Sequence, residues 1–282
     1  MITEVMWDWI APLMPAHPVR GRRWADHRRT LEAIAWEYRT NSPWRDLLLE
    51  ELGSFQTARK RLIRWAVGTA RGRRFSPLSS LQRMPSTTSA GRCRSIPPLC
   101  GPTSTPPERL KGGRRPKRAG RSRTGRSRGG LSTKIHLAAD SHARPLALVV
   151  TAGQAGDAPA FETVMARIRV PRTGPGRPRT RPAMVLAGRA CSSRAIRGHL
   201  RRRQIRTVIP QPSGLVGHRL RRGRQGGRPP GFDADAYKQR NTVEWCINRL
   251  KQWRGLATRS DELAIAYQAA LHLAAILMWA RR

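Results

Sequence analysis

Apolar residues recur at helical spacing along the first part of the chain. Over residues 2–13 they fall three and four positions apart, which predicts an amphipathic helix ended by Pro15. Asp26 stands just before a second such run, which extends to Tyr38. An Asp at this place can accept hydrogen bonds from the free N–H groups at a helix start, so we expect it to cap the second helix.

A third apolar pattern runs over residues 55–65, and its outer side is basic. Three short helices with a basic last one are typical of a helix-turn-helix, although other small helical bundles share the pattern. We therefore predict a helical DNA-binding region over residues 1–66. Its candidate DNA-binding residues are Arg59, Lys60 and Arg64.

The pattern stops over residues 68–128, where Arg, Ser, Pro, Gly and Thr dominate. Residues 67–125 are expected to be disordered. One interpretation is a flexible basic linker that binds phosphates without sequence preference. The other, which we favour, is translation out of frame, because GC-rich codons read in a wrong frame give mainly these residue types. The abrupt return of a regular pattern at Leu131 fits a restored frame.

Strand and helix patterns alternate from Leu131 onward. Two strand-like runs flank a turn at residues 140–144, which predicts a β-hairpin. Asp157 is expected to cap a helix. A short apolar strand at residues 183–187, a helix, and a strand beginning at Arg206 follow, then a basic loop. This order predicts an α/β domain with a mixed sheet over residues 126–282.

Residues 237–251 form a helical pattern in which Glu244 is the only acid. Arg240, Glu244 and Lys251 lie beside one apolar face and could share its rim. An interpretation without function is a basic amphipathic helix with a salt bridge between Arg240 and Glu244. The pattern alone does not decide between this and a catalytic helix.

Charge narrows the class of partner. The 55 Lys and Arg against 17 Asp and Glu give a formal net charge of +38, so nucleic acid is the expected partner. A membrane is not expected, because the longest apolar run, residues 263–280, is interrupted by Gln268 and His272 and reads as a buried helix. The 4 cysteines lack metal-ligand spacing, and acids near the N-terminus do not suit a signal peptide. We expect a cytoplasmic, nucleoid-associated protein.

An α/β domain on DNA with a carboxylate on a late helix suggests phosphodiester chemistry with two divalent ions. Such sites gather several carboxylates, because Mg²⁺ prefers oxygen ligands. Tyr237, Arg240, Glu244 and Lys251 match the Y(2)R(3)E(6)K signature at every position. The chain resembles bacterial insertion-sequence transposases of the DDE class, in particular insertion-sequence family five. The likeness covers residues 1–66 and 126–282.

The resemblance implies a ribonuclease-H-like catalytic domain, Mg²⁺ as cofactor, Glu244 as catalytic and metal-binding acid, and Arg240 and Lys251 as DNA contacts. It also implies binding to transposon ends and target DNA, cleavage and strand transfer, with a homodimer as the expected assembly. Relatives read close to LADKAY where this chain reads LAGRAC, so Gly188 stands where the second Asp is expected, beside Arg189. The first Asp belongs in the patternless segment, so the domain is expected to lack its first strand.

Glu244 is then the one remaining acid of three, since Asp140 and Asp157 are expected in turn and cap roles. A lone carboxylate cannot hold two Mg²⁺ ions, and we therefore expect no catalytic activity. One alternative is a non-catalytic DNA-binding protein or repressor that acts through residues 1–66. Another is an unstable relic of a transposase.

Overall fold

The computed structural model describes residues 2–17, 23–70, 98–101, 125–127, 130–170, 176–259, 261 and 263–281. The N-terminal part is helical, as predicted. Its helices are α1 (Glu4–Ile10), α2 (His27–Thr40), α3 (Leu49–Leu52) and α4 (Phe55–Ala70). The carboxylate of Asp26 accepts a 2.6 Å hydrogen bond from the Arg29 N–H, so the predicted cap is confirmed. The helix before α4 is only one turn long, and the helix-turn-helix is not confirmed.

Two short strands lie within or at the end of the segment predicted to be disordered. They are β1 (Pro98–Gly101) and β2 (Gly125–Ser127). Both pair antiparallel with β3 (Gly130–Ala139), the longest strand described. The structure thus differs from the expectation of no regular element over residues 67–125, and α4 also continues to Ala70. The other residues of that segment lie outside the described part.

The predicted hairpin is confirmed. Strand β3 pairs antiparallel with β4 (Pro145–Ala152), and the turn between them carries Asp140. The carboxylate of Asp140 accepts hydrogen bonds from the backbone N–H of His142 at 3.0 Å and of Arg144 at 2.8 Å. These bonds close the turn, so the turn role expected for Asp140 is confirmed.

Helix α5 (Asp157–Arg167) follows the hairpin, and then come β5 (Met184–Leu186), α6 (Arg194–Arg202) and β6 (Arg206–Val208). Strands β5 and β6 are parallel, but within the described residues they pair only with each other. The expectation of one mixed sheet was therefore wrong in detail. The described strands form two sheets instead: an antiparallel sheet of β1 to β4 and a parallel pair of β5 and β6. Among the described residues, no backbone hydrogen bonds of a strand pair join these two sheets.

The C-terminal part is helical. A predicted basic loop contains helix α7 (Ser213–Arg221), and the predicted helix over residues 237–251 is two helices, α8 (Ala234–Lys238) and α9 (Thr242–Lys251). A 3-10 turn, Gln239–Asn241, separates them, and the Thr242 hydroxyl donates to the Gln239 carbonyl at 3.0 Å. Helices α10 (Arg254–Thr258) and α11 (Ala264–Ala280) end the chain.

Helix α11 is almost entirely buried, which confirms the prediction for residues 263–280. It packs against α4 and β4, and the Trp279 indole donates to the Pro145 carbonyl at 2.8 Å. Among the described helices there is none with the length and apolarity to cross a membrane. The N-terminal helices therefore complete their core with the last helix of the chain.

Two hydrophobic cores result, and the hairpin lies between them. The first core joins α1, α2 and α4 to α9, α10 and α11, and the second joins α5, α6, β5 and β6. Alternate hairpin residues face opposite sides: Leu137 and Leu148 belong to the first core, whereas Ala138 and Val149 belong to the second. The chain is thus a layered α/β structure in which one hairpin supplies both cores.

Candidate active site

Glu244 lies in the first turn of α9, on the side of that helix that faces away from the core. The apolar face of α9, with Val243 and Leu250, is buried in the first core. The Glu244 carboxylate forms a 3.1 Å ion pair with Arg240, and its side chain is 41% exposed. A pair this exposed contributes at most about 1 kcal/mol to stability. The anchored apolar face, rather than the ion pair, holds Glu244 in place.

The four residues of the signature are not all brought together. Arg240 lies in the 3-10 turn before α9, which places it next to Glu244. Tyr237 lies on α8, where its ring stacks at a tilt against Phe232 with the centroids 5.3 Å apart. Lys251 ends α9 and is exposed. The structure therefore unites Arg240 with Glu244 and leaves Lys251 on the surface.

Gly188 lies two residues after the end of β5 and immediately before a short 3-10 turn, Arg189–Cys191. Its backbone has φ −72° and ψ 168°, an extended conformation open to any L residue, and a Cβ atom there would meet nothing within 4 Å. Glycine is therefore not required by the backbone. An acid would fit at this position, and this chain has none.

Asp140 is committed to other contacts. Besides closing the hairpin turn, its carboxylate accepts a 2.6 Å contact from the guanidinium of Arg144. That guanidinium lies 4.0 Å from the ring centroid of Trp279, so packing fixes the pair. Strand β3, which Asp140 follows, packs against α9. Burial, with a smaller contribution from Asp140, raises the pKa of the Cys246 thiol on α9 to about 12. Asp140 serves the fold and has no free oxygen to offer without losing these contacts.

The role expected for Asp157 was wrong. Gly156 is the N-cap residue of α5, with no side-chain cap, and Asp157 is the first helical residue. Its carboxylate forms a 3.0 Å ion pair with Lys134 on β3, and the Lys134 ammonium also donates to the Ala155 carbonyl at 2.9 Å. Asp157 lies one position after the N-cap, and its carboxylate pairs with the Lys134 ammonium instead of capping the helix.

These residues do not fit a site for two divalent ions. Glu244 and Asp140 are each paired with an arginine, Asp157 is paired with Lys134, and Gly188 has no ligand atom. Within the described ranges, there is no group of three or more His, Cys, Asp or Glu side chains that could hold a metal. Two-ion sites need several carboxylates around the metals.

The basic outer side of α4 is exposed, as predicted. Arg59 and Lys60 are exposed, and Arg64 is exposed with its guanidinium 5.1 Å from the ring centroid of Trp24. The sequence pattern also places Arg61 on this outer side, but that placement was wrong: Arg61 is 6% exposed, and its guanidinium lies 3.7 Å from the same ring. Burial, assisted by the charge of Arg64, lowers the pKa of Arg61 to about 10. Arg61 thus joins α4 to the loop before α2, which carries Trp24, while Arg59 and Lys60 stay exposed.

Helix α7 was not predicted from the sequence, which indicated a basic loop at this place. None of its residues is buried, so it lacks the regular apolar face that predicts a helix. The spacing of Val216 and Leu220 by four positions was the only available signal. The helix and the following turn carry a cluster of arginines close in sequence to β6.

Comparison with known families identifies the class. A family model described as "Transposase DDE domain" matches residues 98–279, which is more than half of the chain, so the chain belongs to this transposase family. A second model, described as "Putative transposase of IS4/5 family", matches residues 2–69. The chain is a DNA transposase of an insertion sequence, which confirms the resemblance found in its signature residues. The family implies the use of divalent metal ions.

Individual relatives are distant. A "Putative transposase for insertion sequence element IS6501" from Brucella ovis is 25% identical over 155 residues, which is 54% of this chain and 100% of that protein. The crystal structure of the Mos1 strand transfer complex is 13% identical with a TM-score of 0.25, and covers 88% of this chain and 81% of its own. A pre-cleavage Mos1 transpososome is 11% identical with a TM-score of 0.23, and covers 88% and 82%.

Proposed function

We propose that this transposase binds transposon ends but does not cleave or join DNA by itself. The observation that carries the proposal is Gly188, which offers no ligand at the place where the family has its second acid. The pairing of Glu244 with Arg240 at 3.1 Å supports it, and the exposed Arg189 beside Gly188 would repel a metal ion. Mg²⁺ is the ion that the missing acids would have held.

The proposed framework is ribonuclease-H-like. An antiparallel hairpin, β3 and β4, is followed by a helix and then by the parallel strands β5 and β6. Because β5 and β6 are parallel, their carboxyl ends meet at one edge, and Gly188 lies there. We place the degenerate catalytic centre between this edge and Glu244 on α9.

The test is an end-cleavage assay on the element's own terminal repeats with Mg²⁺ or Mn²⁺. We expect no cleavage above background. Robust cleavage that is lost in Glu244→Gln, but kept in Glu162→Gln, would overturn the proposal. Glu162 is a suitable control because its carboxylate is 59% exposed on α5 and contacts His199 rather than the candidate centre.

We also propose that residues 67–125 are translated out of frame, which would explain the missing first acid. The triplet formed by the last base of the Ser95 codon and the first two bases of the Ile96 codon encodes Asp, Asn, His or Tyr. It encodes Asp when that last base is G, and it lies just before β1. Translation of the coding DNA in the other two frames should give a strand pattern containing Asp. If neither frame does, the segment is a genuine linker.

A second candidate function is repression of related elements through the N-terminal helices. The exposed basic side of α4, with Arg59 and Lys60, favours it. At a fixed salt concentration, a repressor should bind the element's ends far more tightly than random DNA of equal length. Equal affinities would leave only nonspecific electrostatic binding and would exclude this function.

A further inference from the structure

Residues 213–228 form an exposed, strongly basic surface of their own, which we call the α7 surface. It contains 5 arginines and no acid. Helix α7 has no buried residue, and the turn after it, Gly223–Gly226, has none either. Among the described residues, none of these arginines forms an ion pair with an acid. The arginines are Arg219, Arg221, Arg222, Arg224 and Arg228.

The α7 surface has a defined position despite its exposure. A Cβ atom on Gly226 would lie 2.1 Å from the Arg219 carbonyl oxygen, so only glycine lets the turn fold back against α7. After the segment, Asp233 forms a 2.6 Å ion pair with Arg206 on β6, which ties the end of the segment to the strand before it. The arginines are thus presented from an anchored loop.

The α7 surface follows β6 in the chain, on the side of the parallel pair β5–β6 where Gly188 lies. Leu186 and Val208 are register partners in the parallel pair, and the Ala187 N–H donates to the Val208 carbonyl at 3.3 Å. Helix α7 begins five residues after Val208, so the α7 surface starts at this edge. A ligand bound to the start of the α7 surface would therefore lie at the edge of the parallel pair where Gly188 lies.

We propose that the α7 surface binds the phosphate backbone of a DNA duplex next to the edge of the parallel pair where Gly188 lies. This contact surface is separate from α4. Unpaired arginines close together repel one another, and a polyanion relieves that repulsion while it releases counterions. Arginine also binds phosphate through two parallel hydrogen bonds. The inference rests on the proposed function, because it takes DNA as the partner.

The experiment measures DNA affinity of the full chain against salt concentration for two triple variants. One removes Arg221, Arg222 and Arg224 from the α7 surface by substitution with Ala. The matched control removes Arg177, Arg179 and Arg181 in the same way. These are also exposed, but they precede β5 and so lie toward the opposite edge of the parallel pair. Both variants lose the same charge, so a general field effect changes them equally.

The α7 triple should weaken binding to end and random duplexes alike and reduce the salt slope by about 3, roughly 1 for each lost phosphate contact. The control should change the slope by less than about 1. Equal changes in both variants, or an unchanged slope in the α7 triple, would overturn the proposal. Wild-type chain that binds no DNA would instead refute the proposed function itself.

A second measurement does not depend on any variant folding. Phenylglyoxal modifies accessible arginines, and mass spectrometry locates the products. Duplex DNA should protect Arg221, Arg222 and Arg224 of the wild-type chain, while Arg177 and Arg179 stay reactive. Modification of the α7 arginines at the same rate with and without DNA would contradict the proposed contact.

Discussion

The two hydrophobic cores differ in how far apart their members lie along the chain. The second core is built from successive elements, β3 to β6, over residues 138–209, which are about one quarter of the sequence. The first core joins the N-terminal helices to the last two helices of the chain: α4 packs against α11 and α2 packs against α10. The Tyr38 hydroxyl of α2 also donates to the carboxylate of Asp261, between α10 and α11. The N-terminal region is therefore not packed by itself.

This difference separates the two family acid positions. Glu244 depends on the first core, through the buried face of α9, whereas Gly188 depends on the second, through β5. The hairpin between the cores is the element that fixes one position relative to the other. The packing contacts that hold Glu244 and Gly188 in place come from the elements behind them, in the two cores.

The largest effects should come from removing apolar volume in one core at a time. Leu271 on α11 is 0% exposed, and Leu271→Ala should lower the free energy of unfolding by about 2–5 kcal/mol. Hydrogen exchange should then show lost protection in α2 and α4 as well as α11. Leu200→Ala is the matched change in the second core, also at 0% exposure, and should loosen α5 and α6.

Full protection of α2 and α4 in Leu271→Ala would show that the N-terminal helices fold without α11. Equal loss of protection throughout the chain in both variants would show that the cores open as one unit and would remove the distinction between them.

The next largest effect should be a pH dependence that arises in the first core. Burial, with a smaller contribution from Asp261, raises the pKa of Glu37 from 4.5 to about 8. The folded state therefore holds a proton that the unfolded state releases at lower pH. The stability that the bound proton contributes to the folded state is fully present below pH 4.5. It is lost as the pH rises from 4.5 to about 8. Burial also raises the pKa of Asp261, which acts in the same direction.

Glu37→Gln should remove most of this loss. Because the side chain cannot ionise, the variant should be less sensitive to pH than the wild type, with the difference reaching up to about 4 kcal/mol between pH 5 and pH 8. Denaturant titrations of both proteins at the two pH values measure it. Parallel pH profiles for the two proteins would mean that the Glu37 carboxyl titrates in the folded chain as it does in the unfolded chain.

Local pattern explains which parts of this fold were predictable. Helix α2 with its Asp26 cap, the β3–β4 hairpin and the buried α11 each follow from spacing within a short window. The Tyr38–Asp261 contact spans 223 positions and has no local signal. Helix α7 packs no apolar face, so its residues resemble a loop. Asp157 was misassigned because its partner, Lys134, lies on another element.

The candidate site also has features that local spacing predicted and features that it did not. The signature spacing predicted Glu244 beside Arg240, since both lie close together in sequence. It did not predict the 3-10 turn that separates Tyr237 from α9, because helical period alone does not reveal a tightened turn. Which carboxylates are free and which are ion-paired depends on contacts between distant elements.

A smaller effect is expected at a glycine inside the first core. A Cβ atom on Gly255 of α10 would lie 3.0 Å from the Tyr38 Cα and 3.2 Å from the Tyr38 carbonyl oxygen. Backbone atoms cannot move aside cheaply, so Gly255→Ala should lower the free energy of unfolding by about 1–3 kcal/mol despite the better helix propensity of Ala. Denaturant titration measures it, and a stabilised variant would show that α2 and α10 are less tightly packed.

The smallest effect is expected at the edge of the second core. Gly188→Asp adds a Cβ atom where no atom lies within 4 Å, on a backbone with ordinary φ, and the free energy of unfolding should change by less than about 0.5 kcal/mol. The same titration measures this change, with Gly255→Ala as the contrasting variant. A decrease in the free energy of unfolding as large as that for Gly255→Ala would mean that neighbouring atoms pack tightly around Gly188. The position would then not accept an acid.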